Sequence, residues 1–556
     1  MMGTVANYEP ACRALPEGLP VKAQCLPYSQ IPHTTRLFAD FLTHFPKVQQ
    51  FYPCDPHLSD WRKTPTRSYD LARRARVSDV LERQNRGWGA SDKTIANIAR
   101  LRAGSSAALT GQQVGLFGGP LFSLYKALSA VKLAEEASAA GVDAVPIFWL
   151  ATNDHDLAEV NHTTFPGTSG SLQVVAAPSH GVEDAPVGTI HFGDEIVPVL
   201  QSALDLLGDS PVADLLRDSY RPGETFGTAF ARLFARLFTE WGVILLDPCD
   251  PELQAIAAPM YKAAIERAAE IDEALLARGK ALEGAGYHQQ VKVTPSSTLL
   301  FTMVDGARIP IQRRLNGNST DFLIRDRKLS QEELLQEIAA APQNFSPNVL
   351  LRPVVQDHLL PSLCYTGGSA EVAYFAQVGV VYEKLLGQIT PILPRFSATL
   401  VEPKIQALLE RYGLTLLDLF QGEEALREKI ASRVLPPELQ RAFDRAATSL
   451  EDSLAGVRKA IVQLDKTLGE AADNAGSKMQ HQLEALRARA ARAELRQSEI
   501  VGRHAQLLSA SLYPNKTLQE REIAAVSYLA RHGTDLLREL YACLHTDCHD
   551  HQVIAL

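Results

Sequence analysis

Two short apolar runs frame the most informative stretch of the chain. One ends at Thr110 and the other spans Val145–Leu150. Runs this short and this continuously apolar read as strands buried inside a parallel sheet. Between them Leu121, Leu124, Tyr125, Leu128 and Val131 recur at steps of three and four, one apolar stripe on a helix. Pro120 stands just ahead, with a fixed φ suited to a first helical turn. The pattern predicts strand, loop, helix, strand. It returns twice. Phe226, Phe230, Leu233, Phe234 and Leu237 mark a helix that leads into the strand-like Val243–Asp247. Farther on, Val349–Val355 and Leu363–Thr366 read as strands, and Gly367-Gly368-Ser369 opens a helix carrying Val372, Phe375, Ala376 and Val380. Strands alternating with helices predict an α/β fold.

Other patterns interrupt that alternation. Residues 1–104 read as largely helical, with aromatic and proline-rich connections near Phe45–Pro56. Thr168–Val197 alternates and is punctuated by turn residues, which predicts a β-rich insertion. Residues 288–326 do the same, with Leu299–Met303 and Ile309–Gln312 split by Asp305-Gly306, a hairpin signal. Beyond Glu402 the chain turns helical. Leu450, Leu454, Val457, Ile461, Leu464 and Leu468 form a heptad seam, which Met479, Leu483, Leu486, Ala490 and Ala493 repeat. Asp473-Asn474-Ala475-Gly476-Ser477 lies between them and predicts the turn of an antiparallel helical hairpin. The expected organisation is a doubly wound core in residues 1–164, 221–287 and 346–400, with inserted segments at 165–220 and 288–345. A helical coiled-coil domain follows at 401–510, and 511–556 returns to the core.

The first strand–helix junction crowds Gly111, Gly115, Gly118 and Gly119 into nine residues. Glycines permit tight turns and close approach, while a helix start offers free N–H groups and a positive dipole end. An anion is the natural guest, although the spacing matches neither standard phosphate-loop fingerprint. The plain alternative is a turn that only packs closely. Past the second strand come Asn153-Asp154-His155-Asp156, then Glu159, Asn161 and His162. Ligands of open α/β sheets sit beyond the carboxyl ends of the strands. Acids and imidazoles there suit a general base, a grip on sugar hydroxyls or a metal site, against the alternative of helix caps. The junction at Gly367-Gly368, with Glu371 in the first helical turn, should lie on the same sheet edge. Two such helix starts facing one crevice suit a two-substrate site.

Composition narrows the field. A net charge of −9 over 556 residues offers no basic surface for nucleic acid or an anionic membrane. No apolar stretch approaches the ~20 residues of a membrane span, and the first residues lack the basic and apolar regions of a secretion signal. The expectation is a soluble, cytoplasmic protein. Seven cysteines, an odd and mostly scattered set, suit reduced thiols. Cys364 sits within a strand pattern and reads as packing rather than as a nucleophile. The tail CLHTDCHDH places Cys543, His545, Cys548, His549 and His551 in nine residues. Those types can bind metal, but a solvated His-rich tail is the favoured reading.

Several long runs carry a resemblance. They are TGQQVGLFGGPLFSLYK from Thr110, NDHDLAEVNH from Asn153, LRPVVQDHLLPSLCYTGGSAEVAYFAQ from Leu351, LPRFSATLVE from Leu393 and LYPNKTLQER from Leu512. In this order they resemble the cysteine-adding enzymes of bacillithiol synthesis. Asn153 stands where that family usually has an acid, Gly118 where Thr is common, and Gly368-Ser369-Ala370 where Gly-Pro-Gly is usual. The resemblance implies a Rossmann-like core with two connecting segments, a coiled coil and a homodimer. It implies a ligase that joins cysteine to the amino group of glucosaminyl-malate, with ATP or ADP as the expected activating nucleotide. Gly111, Gln112, Gln113, Gly115, Gly118, Gly119, Lys126, Gly367 and Gly368 are the expected nucleotide-binding residues. Asp156, Glu159, Asn161, Gln356, Glu371 and Tyr374 are expected to hold substrate. His155, His162 and Asp154 are the catalytic candidates, with an imidazole as general base, and no metal ligand is assigned. Two other readings stay open: a nucleotide-binding coiled-coil scaffold without ligase activity, and a nucleotidyltransferase acting on another carboxylate.

Overall fold

Ser106–Gln112, Ala144–Leu150, Ile244–Leu246, Ser362–Gly367 and Ile392–Pro394 pair in parallel as one sheet. The computed structural model describes residues 22–63, 69–167, 170–178, 181–316, 319–433, 437–497 and 499–556. Numbered along the chain, the five strands lie in the order 5-4-1-2-3 across the sheet. The direction of winding reverses between the first strand and the fourth, the place where doubly wound sheets open a ligand crevice. Side chains alternate across the sheet as its pleat requires. Ala107, Leu109 and Tyr365 join one core cluster, while Ala108 and Cys364 join the cluster on the other face with Leu133 and Ala137. Both faces are covered, which is why the strands read as unbroken apolar runs.

The chain folds as two units. The first holds the described parts of Met1–Phe165, Gln173–Thr399 and Glu520–Ile554, and the second those of Pro166–Leu172, Leu400–Gln519 and Ala555–Leu556. Within the first unit the residues around 288–345 build an antiparallel sheet of five strands, in the order Arg327–Ser330, Ser319–Ile324, Ala307–Asn316, Ser297–Val304, Phe345–Pro347. The hairpin between Val304 and Ala307 turns at Asp305 and Gly306, whose φ values of 52° and 83° are both positive, as a two-residue hairpin loop requires.

Four expectations need correction. Residues 165–220 hold the strand Leu172–Ala176 but are mainly helical, at Ile196–Leu207 and Pro211–Ser219. Val349–Val355 is no strand: Arg352–Leu359 is a helix buried from Pro353 to Leu359, and a run apolar all round cannot be told from a buried strand by period. Asp473–Ser477 lies inside the helix Gly469–Gln497. The reversal comes earlier, at Asp465, whose carboxylate accepts the Thr467 N–H at 2.8 Å. At Gly476 a Cβ would come within 3.3 Å of Leu454 on the facing helix. The tail, finally, is not solvated. His549 and His551 are buried, and burial pushes the His551 imidazole down to about 4. Among the described residues no cluster could hold a metal ion.

Cys54, Cys249, Cys364 and Cys543 are free thiols, and Cys548 Sγ lies 3.6 Å from Cys25 Sγ. Cys25 is disulfide-bonded, a departure from the reduced set expected, and Cys12 lies outside the described residues. No described helix is long and apolar enough to cross a membrane.

Candidate active site

The carboxyl ends of the first and fourth strands open on a cleft of about 460 Å³. Both glycine junctions reach it, through Gly111 and Gly368, and Lys126 ties them together. Its Nζ donates to the Gly111 carbonyl at 2.7 Å and to Gln112 Oε1 at 2.8 Å, and lies 2.6 Å from Glu371 Oε2. An ammonium has three protons, and here each has an acceptor. Burial pushes Lys126 down to about 8, with Glu371 acting in the other direction. Burial also acts to raise the Glu371 carboxyl. Lys126, the Tyr365 hydroxyl at 2.6 Å and the Gly368 N–H at 2.8 Å outweigh it and hold that carboxyl below its ordinary range. Gly111 has no room for a side chain, because a Cβ would lie 3.1 Å from the Trp149 carbonyl.

One end of the cleft is acidic. Gln113 Nε2 donates to Asp154 Oδ2 at 2.8 Å and to Glu159 Oε2 at 2.6 Å, which holds two carboxylates side by side. Arg308 enters from the antiparallel sheet, its guanidinium 3.9 Å from the centre of the Phe301 ring. Burial pushes Arg308 down to about 10, against the pull of Asp154. It donates to Ser346, to the Pro347 carbonyl and, at 3.0 Å, to His155 Nδ1. A guanidinium can only donate, so Nδ1 must accept and the His155 proton sits on Nε2.

The other end is cationic. Lys126, Arg395 and Arg521 lie 5.9, 5.4 and 5.9 Å from the centre of the Phe122 ring. Arg352 is held by Gln356 Oε1 at 2.9 Å and the Tyr374 hydroxyl at 3.0 Å. Trp149 Nε1, Asn153 Nδ2 and Arg395 Nε are buried donors with no partner among the described residues, and all three residues line the cleft. Buried donors without partners are costly, and three of them on one cleft could be satisfied by a ligand's oxygens.

Of the residues expected at the site, Gly111, Gln112, Gln113, Lys126, Asp154, Glu159, Gly368, Glu371 and Tyr374 line the cleft. The others lie outside its lining. Asp156 caps a short helix by accepting the Glu159 N–H at 3.2 Å. His162 is exposed, its Nδ1 3.3 Å from the Asn161 side chain. Gln356 supports Arg352 from behind, and Gly367 would place a Cβ 2.7 Å from Glu371. The glycine loop is committed to its own packing. The Gly118 N–H bonds Gly115 and the Tyr220 hydroxyl, and the Gly119 N–H bonds the Leu116 carbonyl. A Cβ on Gly115 would lie 3.0 Å from Gly119 Cα. Gly115→Val should therefore cost about 1–3 kcal/mol by overpacking, seen as a lower thermal midpoint. An unchanged midpoint with impaired ligand binding would return the loop to the site.

Periodicity did not single out Phe122, Trp149, Asn153, Arg308, Arg352, Arg395 or Arg521. Arg352, Arg395 and Arg521 do stand inside the long runs noted above, and a positive residue within such a run was the available signal. Arg308 had none.

Comparison with known proteins decides the family. Residues 21–396 match the model described as "Bacillithiol biosynthesis BshC, N-terminal Rossmann-like domain", and 398–556 match its C-terminal coiled-coil domain. The chain belongs to the BshC family. Among its relatives is a Koribacter versatilis protein named "Putative cysteine ligase BshC", 50% identical over 95% of this chain and 99% of that protein. Proteins of the same name from Solibacter usitatus and Salinibacter ruber are 36% and 35% identical. They share 96% and 94% of this chain, and 99% and 96% of their own. The BshC Rossmann-like domain model thus spans the whole five-stranded sheet, and the cleft lies at that sheet's switch point.

Proposed function

We propose that this chain is a cytoplasmic ligase that joins the cysteine carboxyl to the amino group of glucosaminyl-malate. The observation that carries the reading is the polarity of the cleft, with paired carboxylates beside Arg308 at one end and Arg352, Arg395 and Arg521 at the other. Carboxylates grip an amino sugar and accept the proton its ammonium must lose before it attacks. Arginines receive the carboxylates that both substrates bring. In that step the ammonium gives one proton to Asp154 or Glu159, the C–N bond forms as the leaving group departs with its electron pair, and the second N–H proton passes to the other carboxylate or to the departing group. His155 is less suited to the task, because its free lone pair already faces Arg308.

Amide formation in water is uphill, and ATP or ADP would supply a better leaving group on the cysteine carboxyl. The glycine loop fits the phosphates poorly, since the N–H groups of Gly115, Gly118 and Gly119 are bonded within the protein. Arg395, Arg521 and the helix start at Ser369-Ala370 fit them better. The test is purified protein with cysteine, glucosaminyl-malate and ATP or ADP, read by mass spectrometry for the amide product and the spent nucleotide. No product with either nucleotide would remove the ligase reading and favour a nucleotide-binding scaffold.

The homodimer belongs to the same proposal. Val457, Leu464, Met479 and Leu486 of the helical hairpin are 52%, 84%, 50% and 55% exposed, an apolar seam that one chain leaves half open. Replacing Leu454, Ile461 and Leu464 with Glu should convert dimer to monomer in sedimentation. A wild type that is monomeric at micromolar concentration would sink this part.

A further inference from the structure

Arg395 is 8% exposed and is held at both of its terminal nitrogens. One terminal nitrogen donates to Glu520 Oε1 at 2.6 Å and the other to the Phe396 carbonyl at 2.7 Å. Its Nε has no partner among the described residues. That buried atom lies beside Gly368, where a Cβ would come within 3.3 Å of it. Beside Gly368 the helix Ser369–Leu385 begins, with the positive end of its dipole and its unpaired N–H groups at the cleft.

Glu520 is 1% exposed, and its second oxygen is pinned as well. Oε2 accepts from Ser397 Oγ at 2.9 Å and from the Ala398 N–H at 3.0 Å. Ser397 is bonded in turn to His551 Nδ1 at 2.7 Å. Glu520 comes from the segment that returns to the first unit. Ile523 of that segment accepts the Leu121 N–H at 3.0 Å, and Ala525 donates to the Gly119 carbonyl at 3.1 Å. The returning chain is thus fixed against the glycine loop just ahead of Phe122, which lines the cleft.

We propose that Glu520 is a positioning residue. It holds Arg395 so that Nε–H, together with the start of the helix Ser369–Leu385, receives an oxyanion of the ligand, a carboxylate or a phosphoryl group. The inference rests on reading the cleft as the substrate site. It makes a prediction of sign. A negative charge near a bound anion repels it, so a purely electrostatic role means that Glu520→Gln tightens anion binding. A positioning role means the reverse, because the Gln amide turns donors toward either Arg395 or Ala398 and the guanidinium swings.

The experiment titrates the full-length protein with L-malate, for the carboxylate source, and with inorganic phosphate, for the phosphoryl source. For whichever probe the wild type binds, Glu520→Gln should raise Kd about tenfold, the loss of roughly one charge-assisted hydrogen bond. KM for the matching substrate should rise with it while kcat stays nearly constant. Ser397→Ala keeps both charges and removes one bond to Oε2, and it should weaken the same anion by about threefold. It decides the matter should Glu520→Gln fail to fold. Anion affinity that is unchanged or tighter in the folded variants, or a wild type that binds neither probe, would overturn the proposal. A wild type that binds the anion yet forms no amide removes the ligase reading and leaves this one standing.

Discussion

At least one of Asp154→Asn and Glu159→Gln is expected to lower cysteine addition by about 10²–10⁴-fold, the range for a lost general base. Both substitutions keep an acceptor for Gln113, which now bridges the two carboxylates at 2.8 and 2.6 Å, so the local shape survives while the basic oxygen is lost. Either residue alone could take the proton, and the pair makes the prediction specific: at least one variant must fall by that margin with its thermal midpoint little changed. His155→Asn is the control. Its Oδ1 can take over the contact that Nδ1 makes with Arg308 at 3.0 Å, and most turnover should remain. A silent carboxylate pair together with an inactive His155→Asn would return the proton to the imidazole.

The second large effect is on stability. Lys126→Met should destabilise the first unit by about 3–5 kcal/mol, the cost of removing one partner from a buried ion pair. The loss is expected to be large because Lys126 serves three acceptors at once, and without it Glu371 and the Gly111 carbonyl face each other uncompensated. Lys126→Met combined with Glu371→Gln should recover part of the deficit, as coupled neighbours do in a double-mutant cycle. Urea unfolding of the four proteins measures it. Equal midpoints for the wild type and Lys126→Met would show that the ammonium bridges nothing of consequence.

The glycine loop shows how a correct local reading can mislead about chemistry. Four glycines at a strand–helix junction do mean close backbone approach, and Gly111 and Gly115 are tight for that reason. What approaches is the protein itself: Trp149 at Gly111, and Gly119 at Gly115. Sequence states that space is short, not who occupies it. The same holds for Asp156 and Glu159. Three residues apart on one short turn, one became a helix cap and the other a wall of the cleft. The choice depended on where Gln113 and Arg308 arrived from elsewhere.

The sequence by itself determined most of the alternation of buried strands and helices, the hairpin at Asp305-Gly306 and the pairing of two long helices, but not where those helices turn. Each is a periodic or local signal, set by the pleat, the 3.6-residue turn or the φ of one or two residues. It also placed Lys126, Glu371, Asp154 and Glu159 near strand ends, where a doubly wound sheet puts ligands. Only the tertiary structure decided that these groups face one another. Lys126 and Glu371 are 245 residues apart, Arg308 comes from an inserted sheet, and Glu520 and Arg521 return after the whole helical segment. No period links such positions. They meet because strand order 5-4-1-2-3 opens its crevice between the first and fourth strands. The charge pattern there is set by long-range pairing, with buried cations that need partners taking whichever carboxylates and carbonyls the fold delivers.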